Sequence, residues 1–334
     1  MAIQPVNPTG AANPNPYFLG LNTLFNATFS AIAATAWHTQ VASVIPMSSE
    51  TEGFGWTDPA KRAREWLGAR SADQPAPRTY YVTAKPYEKT MEVDQFQFTD
   101  DKYGLFQRSI ADVATMLAKE PDYQLRDLWL NLGTQTGAFQ TGVDGLAHWS
   151  ASHPVNFYDA GYGTYNNDYR GASGVSSIGG PLAMAAYISA RYDMMLRKSA
   201  HGEVLGIVPN KLVVGPSLDA IAKHLLNATF LGLKAAYGTT DNVGAAENMM
   251  RNTADIMMIP DLGSSLDWLL LDTSRGNMPF TVGVRQMGQY TQLTSPNDPN
   301  VFNEHKFLFG GWSRFVVAWS HPILSSISGP TANT

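Results

Sequence analysis

The segment TDDKYGLFQRSIADVATMLAKEPDYQLRDLWLNLG, residues 99–133, carries the clearest helical pattern in the sequence. Its apolar residues recur every three or four positions, which is the spacing of one helix face. They form two stripes, Ile110, Val113, Ala114 and Leu117 followed by Leu125, Leu128, Trp129 and Leu132. Pro121 suits the first turn of a helix better than its interior, so we expect a kink or break near residues 119–120. Thr99, Asp100 or Asp101 can cap the start, and Gly133 ends the element.

The sequence predicts both helices and strands outside this segment, and together they indicate an α+β fold. Helical spacing recurs at residues 17–37 and 181–198, and residues 210–233 read as a strand, a Pro-Ser turn and a helix. Further strands are predicted in the segments DIMMIPDL, LDWLLLD, FTVGVRQ and FLFGGWSRFVVAW. Residues 133–180 are rich in Gly, Asn, Asp and Ser and predict loops.

Residues 56–92 read as a long hairpin-like loop. A polar, proline-bearing turn, SADQPAPR, separates two segments, and Tyr81, Thr83, Val93 and Phe96 suggest β structure with partial alternation. Because a two-stranded hairpin is only marginally stable by itself, we expect this one to lie on a neighbouring molecule.

Composition restricts the function classes. The 334 residues have a hydrophobic fraction of 44%, a net charge of −5 and no cysteine. A core of real size is therefore expected, whereas disulfides, thiolate nucleophiles and cysteine-based zinc sites are excluded. No apolar run approaches the roughly 20 residues of a membrane span, and the N-terminus lacks the pattern of a signal peptide, so we expect a soluble, intracellular chain without a membrane partner.

Few residues are arranged for catalysis. The sequence has neither a Gly-x-Ser-x-Gly elbow nor a Walker phosphate loop. His148 and His153 flank the segment WSAS and could share a metal with Asp144, which is the basis of one alternative, a metal-dependent enzyme. The plainer interpretation is a glycine-rich loop that happens to carry two histidines, and we predict no catalytic residue, no metal and no cofactor.

The decapeptide KRAREWLGAR, residues 61–70, contains four cations around Trp66. Cations beside an aromatic ring could bind phosphates and stack on bases. The acidic balance of the chain, and Glu65 within the patch, suit a protein partner better. A third interpretation is a local segment that packs Trp66 and Leu67 on its own domain.

The order of these elements resembles the tailed-phage major capsid fold of the Hong Kong 97 type, and the sequence is similar to the Mu-like phage major head subunit (major capsid protein) family. The segments that carry the resemblance are FNATFSAIAAT, REWLGAR, KPYEKTMEV, DDKYGLF, EPDYQLRDL, DGLAHWSASHP and NKLVVGPSLDAIAKHLL. The pair REWLGAR and YEKTMEV is the most specific of them. The glycine- and tyrosine-rich YDAGYGTYNNDYRGASG departs from the family pattern.

The resemblance implies a structural protein, many copies of which assemble into an icosahedral shell around the DNA genome of a tailed phage or prophage. It divides the chain into an N-terminal arm over 1–50, an extended loop over 51–92, a peripheral domain with a spine helix over 93–180, an axial domain over 181–300, and a returning peripheral-domain strand with the C-terminus over 301–334. The spine and core residues are Ile110, Val113, Leu117, Leu125, Leu128 and Trp129. The inter-subunit contacts of the extended loop are Arg62, Arg64, Glu65, Trp66, Arg70, Arg78, Tyr87 and Glu88.

The implied partners are copies of the chain itself in hexamers and pentamers, a portal, and packaged double-stranded DNA contacted non-specifically. A decoration protein is a further option. Because the N-terminal arm is short and lacks a charged helical extension, we expect the scaffolding protein to be a separate chain. The implied location is the virion, with assembly in the cytoplasm of the host bacterium. An encapsulin-like bacterial compartment is an alternative with the same fold.

Overall fold

The computed structural model describes residues 16–57, 63, 65–70, 77–101, 104–130, 144–156, 160–171, 180–232 and 245–330. The helices are α1 Pro16–Thr35, α2 Gln95–Thr99, α3 Leu105–Leu130, α4 Met184–Leu196, α5 Asp219–Asn227 and α6 Pro299–Glu304. The first strands are β1 Ala42–Pro46, β2 Thr51–Thr57, β3 Pro77–Thr83, β4 Lys85–Asp94, β5 His153–Pro154, β6 Thr164–Tyr165 and β7 Lys211–Val214. The others are β8 Phe230–Gly232, β9 Ala245–Glu247, β10 Asp255–Met258, β11 Trp268–Leu271, β12 Phe280–Leu293, β13 Lys306–Trp319 and β14 Ser325–Ser328.

The first sheet has the strand order β1-β12-β13-β4, with β1 parallel to β12 and the other pairs antiparallel. Helices α1 and α3 pack on each other and on this sheet, where Phe18, Leu21 and Phe25 of α1 join Ile110 and the other apolar residues of α3 in one buried cluster. Gly311 of β13 allows this close approach, because a Cβ there would lie 2.7 Å from Leu117 Cδ1 and 2.7 Å from Phe25 Cζ.

Helix α3 is continuous through Pro121, so the expected break near residues 119–120 is wrong. A proline inside a helix removes one backbone hydrogen bond. Here the apolar stripes on both sides of Pro121 are buried, and that burial offsets the loss. The structure buries all six predicted spine residues, Ile110, Val113, Leu117, Leu125, Leu128 and Trp129, while Leu132 and Gly133 lie outside the described residues.

The second sheet has the strand order β10-β7-β11-β14. Helices α4 and α5 cover one face, where Tyr187 and Leu226 pack with Leu212 and Trp268. The other face joins the cluster that holds the C-terminal half of α3. The two sheets therefore share a core through α3.

Several element assignments differ from the sequence-based expectation. Strand β12 pairs with β1 and β13 of the first sheet, although its sequence was grouped with residues 181–300. Strand β14 follows the returning strand and pairs with β11, which was not predicted. Phe96, expected in a strand, lies in α2, because the Asp94 carboxylate accepts hydrogen bonds from the Phe96 and Gln97 amides and starts a helical turn. The division of the chain into domains stays a prediction.

Within the described residues, no helix is both long and apolar enough to span a bilayer.

Candidate subunit-contact surface

Among the described residues, the hairpin of β2 and β3 packs on the rest of the chain near its base. The two strands pair from Thr51 opposite Thr83 to Thr57 opposite Pro77. At the base, Val82 joins Val316 and Ala318 of β13 in a small buried cluster, against which Tyr80 also packs. The Tyr80 hydroxyl donates to the Trp319 carbonyl, and burial raises the pKa of this phenol. The base of the hairpin is therefore anchored on β13.

The described part of the connection between these strands exposes two large apolar side chains. Trp66 is 69% exposed and Leu67 is 74% exposed. The indole Nε1–H of Trp66 donates to the Gly68 carbonyl at 2.7 Å, and the Arg70 guanidinium lies 4.8 Å from the centre of the indole ring. These contacts fix the ring locally. The exposure of both side chains in the described structure contradicts the interpretation in which Trp66 and Leu67 pack on their own domain.

The other predicted contact residues fall into three groups. Glu65 and Arg70 are exposed beside Trp66. Arg62 and Arg64 lie outside the described residues, and Arg78 pairs with Trp56 in the hairpin, although its side chain is not among those described.

Tyr87 and Glu88 belong to β4 of the first sheet rather than to the hairpin. Tyr87 stacks on Phe315 at 4.6 Å between ring centroids, while Glu88 is exposed and accepts from the Thr90 hydroxyl at 2.7 Å. The stacked ring of Tyr87 is already used within its own chain, which distinguishes it from Trp66.

His148 and His153, the candidate metal ligands, each bond to groups of the protein. His153 uses both ring nitrogens, Nδ1 with Asp144 Oδ2 at 2.5 Å and Nε2 with the His148 carbonyl at 2.9 Å. His148 Nε2 lies 2.8 Å from Ser325 Oγ, and its ring stacks on Trp319. Among the described residues, no group of three or more His, Cys, Asp or Glu side chains is placed to hold a metal ion.

Burial lowers the pKa of two histidines in this region, His148 and His321. The pKa of His148 lies well below 6.5, chiefly because burial disfavours the charged ring and secondarily because His153, His321 and Arg197 are near. Burial also lowers the pKa of His321 to about 4. Both rings are therefore neutral at physiological pH.

A second exposed apolar surface lies on α4 and was missed by the sequence reasoning. Ala185, Ile188, Tyr192, Met195 and Leu196 are exposed, while Tyr187 and Met194 of the same helix are fully buried. The signal was present in the sequence, since apolar residues at both sets of positions make the helix apolar on two faces instead of one.

Comparison with known proteins identifies the family of this chain. The family model described as Mu-like prophage major head subunit gpT matches residues 15–177, 175–262 and 234–329. The chain belongs to this family. The resemblance to the Mu-like major head subunit family is therefore confirmed.

Two curated relatives share part of the chain. It is 25% identical over 122 residues to the major capsid protein of Escherichia phage Mu, and 22% identical over 123 residues to the Mu-like prophage FluMu major head subunit of Haemophilus influenzae. Each alignment covers 36% of this chain and 38% of the relative.

Solved structures share the fold over most of the chain. A chain of the procapsid of bacteriophage JBD30 is 20% identical with a TM-score of 0.53, and the match covers 96% of this chain and 78% of that one. A chain of the capsid of Cyanophage P-SCSP1u is 9% identical with a TM-score of 0.53, covering 90% and 89%. These likenesses confirm the predicted α+β fold of the tailed-phage capsid type.

Proposed function

We propose that this chain is the major head subunit of a Mu-like phage or prophage and that its copies assemble into the icosahedral shell that encloses double-stranded DNA. The family match along residues 15–329 carries this proposal. The exposed connection of the hairpin supports it, because Trp66 and Leu67 are largely exposed in the described structure and fit a contact between copies. The role is structural and requires no catalytic residue.

The extended hairpin is the proposed contact between neighbouring subunits. Its cations suit carboxylates on an adjacent copy, since arginine makes strong charge-assisted bonds to carboxylates and Trp and Arg are enriched in interface hot spots. Glu65 and the net charge of −5 disfavour a phosphate-binding role. A shell of subunits with this net negative charge holds packaged DNA through few, non-specific contacts.

The further partners we propose are a separate scaffolding protein, a portal and, as an option, a decoration protein. The family role supports these partners, and it also supports a location in the virion after assembly in the cytoplasm of the host.

Electron microscopy and light scattering of the purified chain test the proposal. The native chain should form capsomers, shells or tubes, whereas a stable monomer at high concentration would refute the proposed function.

Trp66→Ala tests the role of the hairpin. A hot-spot loss of about 2 kcal/mol would raise the concentration needed for assembly by about 30-fold, while circular dichroism of the dilute subunit stays native. Met116→Ala, at an exposed position on α3, is the matched control and should assemble normally. A Trp66→Ala variant that assembles normally but binds DNA more weakly, with a shallower salt dependence, would favour the nucleic-acid interpretation.

A further inference from the structure

A tight turn at residues 65–68, in the connection between β2 and β3, is held by two hydrogen bonds of its own. The Leu67 amide donates to the Glu65 carbonyl at 3.1 Å, and the Trp66 indole N–H donates to the Gly68 carbonyl at 2.7 Å. The first bond joins residues two positions apart, as in a γ-turn. Because both bonds lie within four residues, the turn can form without support from the core.

Gly68 sets the direction in which the chain leaves this turn. Its φ of +86° lies in the left-handed region, which glycine adopts freely and other L-residues adopt at a cost. A Cβ on Gly68 would have no described atom within 4 Å. A side chain at this position would therefore meet a conformational penalty and no steric one.

Arg70 braces the turn from one side. Its guanidinium lies 4.8 Å from the centre of the Trp66 ring, which is the distance of a cation–π contact. Leu67, at the apex between Trp66 and Gly68, is 74% exposed. A single exposed leucine needs no explanation by itself. Here, however, two hydrogen bonds and a stacked cation restrict the backbone that carries it, and such restriction lowers the entropy lost on binding.

We infer that residues 65–70 form a preorganised docking turn, which delivers Leu67 into an apolar pocket on a second copy of the chain. Trp66, Gly68 and Arg70 are its positioning residues. The inference deepens the proposed function and rests on it. Charge favours a second copy as the partner, because each copy carries 28 acidic against 23 basic residues and so offers carboxylates to Arg70 at the rim of the pocket.

Substitution of Gly68 tests the turn through the lowest concentration at which light scattering detects assembly, which we call the assembly threshold. Gly68→Ala should raise the threshold about 5- to 30-fold, which is the cost of about 1–2 kcal/mol for a left-handed alanine converted at 1.4 kcal/mol per factor of ten. Gly68→Asn should stay within about threefold of the native threshold, since asparagine tolerates the left-handed region. Leu67→Ala should raise the threshold about tenfold or more, because it removes the apolar group that is buried.

Gly145→Ala is the matched control. Gly145 is also exposed, has a φ of +75° and would have no described atom within 4 Å of a Cβ, but it lies in the loop that carries His148 and His153. This variant should lower the urea midpoint of the dilute subunit and leave the assembly threshold unchanged. Gly68→Ala should do the opposite, because its turn is exposed and stands outside the buried clusters.

The outcomes separate this inference from the proposed function. If Gly68→Ala assembles at the native threshold, the docking turn is overturned while the proposed function stands. A Gly68→Asn variant as impaired as Gly68→Ala would show that the left-handed backbone is not the cause, and a raised threshold in Gly145→Ala would show that the effect is not specific to the turn. Either result also overturns the inference. A native chain that never associates overturns both proposals.

Discussion

Gly311 is the position where the packing of two helices on the first sheet can be tested most directly. In Gly311→Ala the new Cβ would lie 2.7 Å from Leu117 Cδ1 and 2.7 Å from Phe25 Cζ. Neither side chain can move away freely, because both are buried and the Phe25 ring packs against Phe29 and Tyr290, 6.1 and 5.2 Å away.

The expected effect on stability has two parts. Overpacking a core costs about 1–3 kcal/mol, and replacing a glycine stabilises by about 0.4–1 kcal/mol through the unfolded chain. We therefore expect Gly311→Ala to lower the free energy of unfolding by roughly 1–2 kcal/mol. Gly20→Ala on α1 is the matched control, since no atom lies within 4 Å of its Cβ and a helical alanine is favoured by about 0.5–1 kcal/mol.

Urea unfolding of dilute, unassembled subunits, followed by circular dichroism, measures both changes. The two variants should move the midpoint in opposite directions at unchanged slope. If Gly311→Ala were as stable as Gly20→Ala, then α1 and α3 would not press on β13 as described.

Two further predictions concern the core and the histidines. Trp129→Ala should lower the free energy of unfolding by about 3–5 kcal/mol and reduce soluble yield, because the ring is buried, and normal thermal stability would show that it is exposed. Since burial lowers the pKa of His321 to about 4 and that of His148 well below 6.5, the unfolded chain binds more protons than the folded one, and stability should be highest above pH 6.5 and fall as the pH drops towards 4. Thermal unfolding across this range measures how stability depends on pH, and His321→Asn should make that dependence shallower. An unchanged dependence in this variant would show that other groups cause it.

The sequence predicted the elements whose pattern is local. The stripe from Ile110 to Trp129 and the strand–turn–helix around Pro216 follow from periodicity and turn chemistry. Strand β14 was missed because its sequence, Ser-Ser-Ile-Ser, has little apolar pattern, and it becomes a strand only beside β11. A break was wrongly expected near residues 119–120, because the packing on both sides of Pro121 cannot be predicted from local preferences.

Trp66 and Trp129 show that local sequence is also a limited guide to which residues form the candidate contact surface. One indole is exposed beside Arg70 and the other is buried against Trp37 and Phe280. In the sequence, each of these two tryptophans lies close to cationic residues and to leucines. Only the helical repeat around Trp129 marks it as a core residue, and no comparable repeat surrounds Trp66.

The histidine loop illustrates why a cluster of polar residues need not be a reactive site. Most of residues 144–171 that the structure describes lack regular structure, so their buried backbone groups need side-chain partners. Asn167 meets this need by donating to the His148 and Pro322 carbonyls, while its Oδ1 accepts from the Ser150 amide at 2.9 Å. Arg197 does the same for the Ile323 and Ser325 carbonyls. His148 and His153 belong to this network, which ties the loop to the segment between β13 and β14. The side chains of this network therefore supply the hydrogen bonds that a helix or sheet would otherwise provide. They do so where the chain passes from the first sheet to the second.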